Sequence, residues 1–262
     1  MFLGNALVIL SGGQDSTTCL FWAKENFPAV HAISFDYGQR HRIELESARH
    51  VAHLAAVPHE ILNLGPIFAG LSPLTNTEER LEQYASVDKL PGGLERTFVP
   101  GRNILFLTIA ANRAYVLGCP NLVIGVSEED FGGYPDCREE FLEKMRDALS
   151  SGLGSRVQIF APLVRMTKEK SVLLAHNLPG CMEALAHTTT CYAGAVPPCG
   201  HCHACLLRNR GFQQAGIADP LLVRLGCYEI SPQPEYTAES KPESNSECNQ
   251  SAEAPALTAN VR

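Results

Sequence analysis

The chain has 262 residues, 45% of them hydrophobic, with a formal net charge of −7 and ten cysteines. That length and apolar share suffice for one large α/β domain or a domain with a small appendage, and no run reaches the roughly 18 to 20 uninterrupted apolar residues that a membrane helix needs. The acidic balance argues against a broad nucleic-acid footprint, and without a basic, cleavable leader the expected compartment is the cytoplasm, where the cysteines read as thiols, ligands or nucleophiles rather than disulfides.

In chain order, the first expected strand is the apolar run Ala6 to Leu10, which leads into "LSGGQDSTTCL", Leu10 through Leu20. The carboxyl end of a first parallel strand followed by a helix N-terminus is where anions bind in open α/β folds. Gly12 and Gly13 let the main chain approach a phosphate without a Cβ in the way. Ser11, Ser16 and Thr17 add hydroxyl donors, and Asp15 either orients the loop or holds Mg2+. The lysine of a Walker loop, the G-x-G-x-x-G of a dinucleotide site and the G-x-S-x-G of a hydrolase elbow are all missing. What remains, S-G-G-x-D-S, resembles the PP-loop of the ATP pyrophosphatases, which split ATP between the α and β phosphates. The other reading is an ordinary strand-to-helix turn capped by Asp15. Cys19, on the helix near Leu20 and Ala23, suits a small buried hydrophobe better than a nucleophile.

Val30 to Phe35 and Glu60 to Asn63 are the next expected strands, and between them Ala48, Val51, Ala52 and Ala55 recur at the spacing of an amphipathic helix. Residues 64–97 break the rhythm with Pro, Gly and Asn and read as an insertion or long loop that orders over a ligand. Asn103 to Leu117 is more uniformly apolar and precedes Gly118, so it reads as a buried helix that stops where glycine permits a positive φ. Leu122 to Val126 and Val157 to Ala161 complete the strands, with a helix over Cys137 to Leu149 between them. The alternation implies an α/β fold over residues 1–180: a mainly parallel, Rossmann-like sheet with helices on both faces.

Residues 181–230 contain "CYAGAVPPCGHCHAC", with Cys191, Cys199, Cys202 and Cys205. Two overlapping C-x-x-C steps place three thiolates on one knuckle, and the loop through Pro197 and Pro198 can return Cys191 as the fourth corner of a tetrahedron. Such a closed set suits a structural Zn2+, one per chain, because no position is left open for water. An iron–sulfur site is the alternative, although the fourth cysteine of ferredoxins lies downstream of the C-x-x-C-x-x-C run. From Ser231 onward, prolines among Ser, Glu and Asn read as a disordered tail over 231–262.

Together with "FDYGQRHRIELESA", "FVPGRN", "GVSEEDFGGYPDCREEFLEKM" and "APLVRMTKEK", the first motif and the cysteine run within "TTTCYAGAVPPCGHCHACLLRNRGF" resemble the 7-cyano-7-deazaguanine synthase family of the queuosine precursor pathway. The resemblance implies an ATP-dependent ligase that takes 7-carboxy-7-deazaguanine and ammonia through adenylated acid and amide to the nitrile. It implies ATP on Leu10 to Leu20, with Gln14 and Thr18 included, Mg2+ with the ATP, structural zinc, a homodimer, and no stable nucleic-acid or membrane partner. Lys168 and Arg102 either offset phosphate charge or are solvated surface cations. Tyr134, Asp136 and Arg138 either stack on the base, pair with its donors and bind its carboxylate, or form a loop capped by Asp136 ahead of the next helix. Two rivals differ in chemistry: a PP-loop enzyme that thiolates tRNA needs a basic surface and a sulfur-carrying cysteine pair, and a non-catalytic zinc-binding interaction module needs no phosphate cradle.

Overall fold

The computed structural model describes residues 2–128 and 133–227; the expected disordered tail lies outside the described residues. The strands are β1 (Ala6–Ile9), β2 (Val30–Asp36), β3 (His59–Asn63), β4 (Asn121–Val123) and β5 (Gln158–Phe160), and they form one all-parallel sheet in the order β3-β2-β1-β4-β5. The helices are α1 (Gln14–Asn26), α2 (Ile43–Leu54), α3 (Arg102–Leu117), α4 (Glu139–Leu153), α5 (Lys168–Asn177), α6 (Cys181–Leu185), α7 (His203–Gln214) and α8 (Pro220–Arg224).

The period of two along a strand splits β1 between two cores. Ala6 and Val8 pack with Leu20 of α1, Val51 of α2, Val172 of α5 and Leu185 of α6 on one face. Leu7 and Ile9 pack with Leu107 of α3 and Leu142 of α4 on the other. Because β1 is buried on both faces, its sequence is a continuous apolar run rather than an alternating one.

Most differences from the sequence expectation are at element ends. Ile124 to Val126 leave β4, since the chain there is pressed over the start of α1: a Cβ on Gly125 would lie 2.8 Å from Ser16 N. The helix expected over Cys137 to Leu149 begins at Glu139, after a 3-10 turn over Pro135–Cys137, and continues to Leu153. Gly118 closes α3 with φ 64°, as a C-terminal glycine should, but α3 is not buried all round. Phe106, Leu107, Ala110 and Ala111 face the core, whereas Ile104, Tyr115 and Val116 are exposed.

Residues 64–97 form a long irregular loop with one short 3-10 turn, Val87–Lys89, held down at several points. Arg40 Nη2 donates to Asn76 O at 2.8 Å, Tyr84 N donates to His201 O at 2.9 Å, and Glu95 Oε2 meets His203 Nδ1 at 2.5 Å. Residues 181–227 share one compact unit with the sheet, and α6 and α7 pack on α1 and α5.

Candidate active site and metal centre

The strand order reverses direction at β1, with β2 on one side and β4 on the other. The loops leaving β1 and β4 therefore diverge at their carboxyl ends, and a cleft opens between them, the position where open α/β sheets hold ligands. Ser11, Gly13, Gln14, Asp15 and Ser16 line it on one side, and Ile124 to Val126 on the other. Gly13 is the N-cap of α1 and brings no side-chain acceptor, so the positive end of the helix faces the cleft with Asp15, in its first turn, as the acidic side chain beside it. Both amide atoms of the Gln14 side chain, itself 2% exposed, lack a protein partner. Buried polar atoms left unpaired in a protein wall mark a place where a ligand supplies the partner.

The two glycines differ in role. Gly12 has φ 91°, and a Cβ there would lie 2.1 Å from Glu44 O and 2.7 Å from Ala48 N, inside the backbone of α2. Gly13 has ordinary geometry, and its nearest neighbours to a Cβ are 3.5 Å or more away. Gly12→Ala is therefore expected to lower the melting temperature sharply, with overpacking alone costing about 1–3 kcal/mol. Gly13→Ala should melt like the wild type but lose ATP binding, because its methyl group intrudes on the cleft; calorimetric titration with ATP checks this, and unchanged affinity would contradict the cradle.

The remaining residues of the segment divide by helical geometry. Thr17, Thr18, Cys19 and Leu20 are fully buried and turn into the core behind the loop. They support the cradle rather than line the cleft. Burial, reinforced by the Asp15 charge, pushes the Cys19 thiol up, so it is inert.

Lys168, the first residue of α5, comes back to this loop from far along the chain. Its Nζ donates to Asp15 Oδ1 at 2.9 Å and to Oδ2 at 2.8 Å, and the side chain is only 5% exposed. Gly211 of α7 makes the fit possible, since a Cβ there would lie 2.4 Å from Lys168 Cγ. Thr189 and Thr190 also line the cleft: Thr189 N donates to Gly12 O at 3.0 Å, and Gln14 N donates to Thr190 Oγ1 at 3.4 Å. Behind them, buried Arg208 donates to Thr188 Oγ1 at 2.7 Å and Thr190 Oγ1 at 3.0 Å while bridging both oxygens of Asp219.

Much of the rest of the cleft is aromatic. Phe35 stacks on Phe106 with ring centroids 4.4 Å apart, and Tyr37, Tyr134, Tyr192 and Arg102 complete the wall. Burial pushes the Tyr37 phenol up to about 12 despite the opposing Arg102 charge, so it remains a protonated donor. Burial works against the Arg102 charge, but Tyr37, Tyr134 and Asp136 outweigh it and hold the guanidinium above its ordinary range. Tyr134 is anchored through its hydroxyl, 2.6 Å from Thr97 Oγ1.

Asp136 and Arg138 stand elsewhere than the sequence reading expects. Asp136 neither lines the cleft nor caps the helix that follows it. Its Oδ2 accepts from Asn103 N at 3.3 Å, in the first turn of α3, while Asn103 Nδ2 donates back to Asp136 O at 3.2 Å. Arg138 is exposed and its guanidinium approaches Gly133 O at 3.5 Å, so the arginine that faces the cleft is Arg102. Cys137 does line the wall, yet burial and the neighbouring Asp136 push its thiol up to about 12, which disfavours a sulfur-carrying role.

Cys191, Cys199, Cys202 and Cys205 converge as the spacing suggests, with all four Sγ atoms within 4.8 Å of one another. Cys199 and Cys205 sulfurs are 3.9 Å apart, close to the roughly 3.8 Å that two thiolates on one tetrahedral ion with bonds of about 2.3 Å require. Cys202 N donates to Cys199 Sγ at 3.4 Å, the kind of bond that stabilises a thiolate ligand. The set suits a single ion better than a 4Fe–4S cluster, whose four thiolates sit on separate irons and spread further. His203 lies inside the knuckle but points to Glu95 instead.

Sequence reasoning missed Gly125, Thr189, Thr190, Tyr192, His41 and Glu44, all contributed by segments remote from the loop in sequence. "TTTCY" and "FDYGQRHRIE" were visible only as parts of a resemblance. Nothing in their spacing signals a shared cleft.

The family described as queuosine biosynthesis protein QueC matches residues 5–216. A protein of Gloeobacter violaceus named 7-cyano-7-deazaguanine synthase is 53% identical over 222 residues, covering 82% of this chain and 94% of its own. One of the same name from Laribacter hongkongensis is 50% identical over 222 residues, covering 84% and 95%. Among solved structures, the U34-tRNA thiolase NcsA from Methanococcus maripaludis with its 4Fe-4S cluster is similar at 13% identity and a TM-score of 0.41, covering 86% of this chain and 71% of that one, a likeness too loose to carry an argument.

Proposed function

The chain belongs to the family of the queuosine biosynthesis protein QueC, and from that premise we propose that it is an ATP-dependent carbon–nitrogen ligase converting 7-carboxy-7-deazaguanine and ammonia to 7-cyano-7-deazaguanine. A carboxylate is a poor electrophile. Adenylation gives it a leaving group, ammonia displaces AMP to form the amide, and a second adenylation on the amide oxygen lets the nitrile form. Both activations need stabilised charge on a departing pyrophosphate.

The observation that carries this reading is the Asp15–Lys168 pair at a glycine-opened helix N-terminus, inside a cleft whose wall also carries Phe35, Phe106, Tyr37, Tyr134 and Tyr192. Gly13 and the first turn of α1 hold the β and γ phosphates, with Ser11 and Ser16 as hydroxyl donors. Lys168 offsets the charge of the phosphates, and Asp15 fixes its ammonium. Tyr134 stacks against the deazapurine, Arg102 meets its carboxylate, and Asp136 acts behind the wall by holding the start of α3. Arg138 remains a candidate only for the cleft rim. Mg2+ enters chelated by ATP and supplies charge neutralisation there. Zn2+ held by the four cysteines is structural. The active form is a cytoplasmic homodimer with no stable nucleic-acid or membrane partner; among the described residues no helix is long and apolar enough to cross a membrane.

The loop type also dictates where ATP breaks. A helix N-terminus without a Walker lysine suits a pyrophosphate that leaves as one unit, so the nucleophile attacks the α-phosphate. With ¹⁸O in the substrate carboxylate, label is expected in AMP, alongside pyrophosphate. Label in inorganic phosphate with ADP accumulating would show phosphorylation and overturn the reading.

A further inference from the structure

The cleft contains a basic ring that the phosphate chemistry leaves unused. His41, in "YGQRH" after β2, is 7% exposed and lines the cleft, and its Nδ1 is buried without a protein partner. The other nitrogen, Nε2, lies 3.2 Å from Glu44 Oε2. Glu44 is itself fixed, because its Oε1 accepts from Gln39 Nε2 at 3.0 Å, and Gln39 Oε1 accepts from Tyr37 N at 2.9 Å. The backbone carbonyl of Glu44 is the atom against which Gly12 closes, so the ring is tied to the phosphate loop through one turn of α2. With the Glu44 carboxylate 3.2 Å from Nε2, its charge favours the proton on that nitrogen, and Nδ1 carries the lone pair. An acceptor of this kind left unpaired in a buried wall is unfavourable, and a donor arriving with the substrate relieves it.

We propose that His41 is a catalytic base for the nitrogen steps of the reaction, an inference that rests on the ligase reading above. As ammonia attacks the acyl adenylate, the C–N bond forms, the bond from carbon to the phosphate-bearing oxygen breaks, AMP leaves with its electron pair, and Nδ1 takes the proton shed by nitrogen. Activation of the amide oxygen releases one nitrogen proton to the departing pyrophosphate, leaving a neutral imidoyl adenylate. When this collapses, the remaining nitrogen proton passes to Nδ1, which has given its first proton to the leaving AMP, the N–H electron pair becomes part of the C≡N bond, and the second AMP leaves. Glu44 orients the ring and stabilises the imidazolium formed each time. Adenylation itself transfers no proton from nitrogen to His41 at the acid stage, so it does not need this base.

His41→Gln separates the two halves, because the glutamine amide nitrogen can replace Nε2 toward Glu44 while nothing replaces Nδ1. Acid-dependent exchange of pyrophosphate into ATP without ammonia is expected to stay near the wild-type rate, whereas amide and nitrile formation should fall by about 10²- to 10⁴-fold. Glu44→Gln is expected to show the same split to a smaller degree. Wild-type amide and nitrile rates in His41→Gln, or equal loss of exchange and product in both variants, would overturn the proposal, as would insolubility of both, which would assign the pair to the fold. If the wild type itself forms no nitrile from the acid, it is the ligase reading that fails.

Discussion

Lys168→Met is expected to reduce nitrile formation by about 10²- to 10³-fold, the loss typical of one preorganised group facing charge that develops in the transition state. Its melting temperature should fall less than that of Asp15→Asn, since the carboxylate it leaves unpaired lines the cleft and is 16% exposed. The lysine stem is packed under Gly211, where methionine has similar length and no charge to bury. Asp15→Asn is a less clean substitution. It leaves an ammonium that is 5% exposed facing a neutral amide, and removing one partner of a buried pair costs about 3–5 kcal/mol, less here because Asp15 is 16% exposed. Thermal melts and the ammonia-dependent assay on both variants separate charge at the site from stability. Full turnover by Lys168→Met would remove the lysine from the mechanism.

Cys202→Ser is expected to abolish soluble expression. A structural zinc site contributes roughly 10–16 kcal/mol of apparent binding free energy at neutral pH, and a whole domain has only about 5–15 kcal/mol of stability. The loss would spread beyond the knuckle. Thr189 and Thr190, next to Cys191, bond the phosphate loop, and His203, next to Cys202, holds Glu95 of the long loop. Elemental analysis of the wild type should find one zinc per chain and no visible iron–sulfur absorption. Cys227→Ser, at an exposed position, is the control and should behave as wild type. A soluble, active Cys202→Ser protein, or iron in place of zinc, would overturn the assignment.

What the sequence alone determined is local. The apolar run Ala6 to Ile9 and the S-G-G-x-D-S turn are legible because a doubly buried strand and a glycine-opened helix start each impose composition on a few adjacent residues. The four cysteines are legible for the same reason, since a knuckle ligates from short, fixed steps. Gly118 marks the end of α3 because only a residue without Cβ enters its conformation cheaply.

Tertiary structure alone decided who meets whom. No spacing rule brings Lys168 to Asp15, Thr190 to Gln14, or Glu95 to His203, because those contacts follow from the strand order and from helices packing across the sheet. The same packing gave Gly12 to the backbone of α2 and left Gly13 to the ligand, a distinction invisible in two adjacent letters. It turned Asp136 toward the start of α3, and it placed His41 beside the phosphate loop through Glu44. Periodicity reports which face of an element is apolar; it carries no information on which polar side chains from distant elements share a cleft, since that depends on long-range packing.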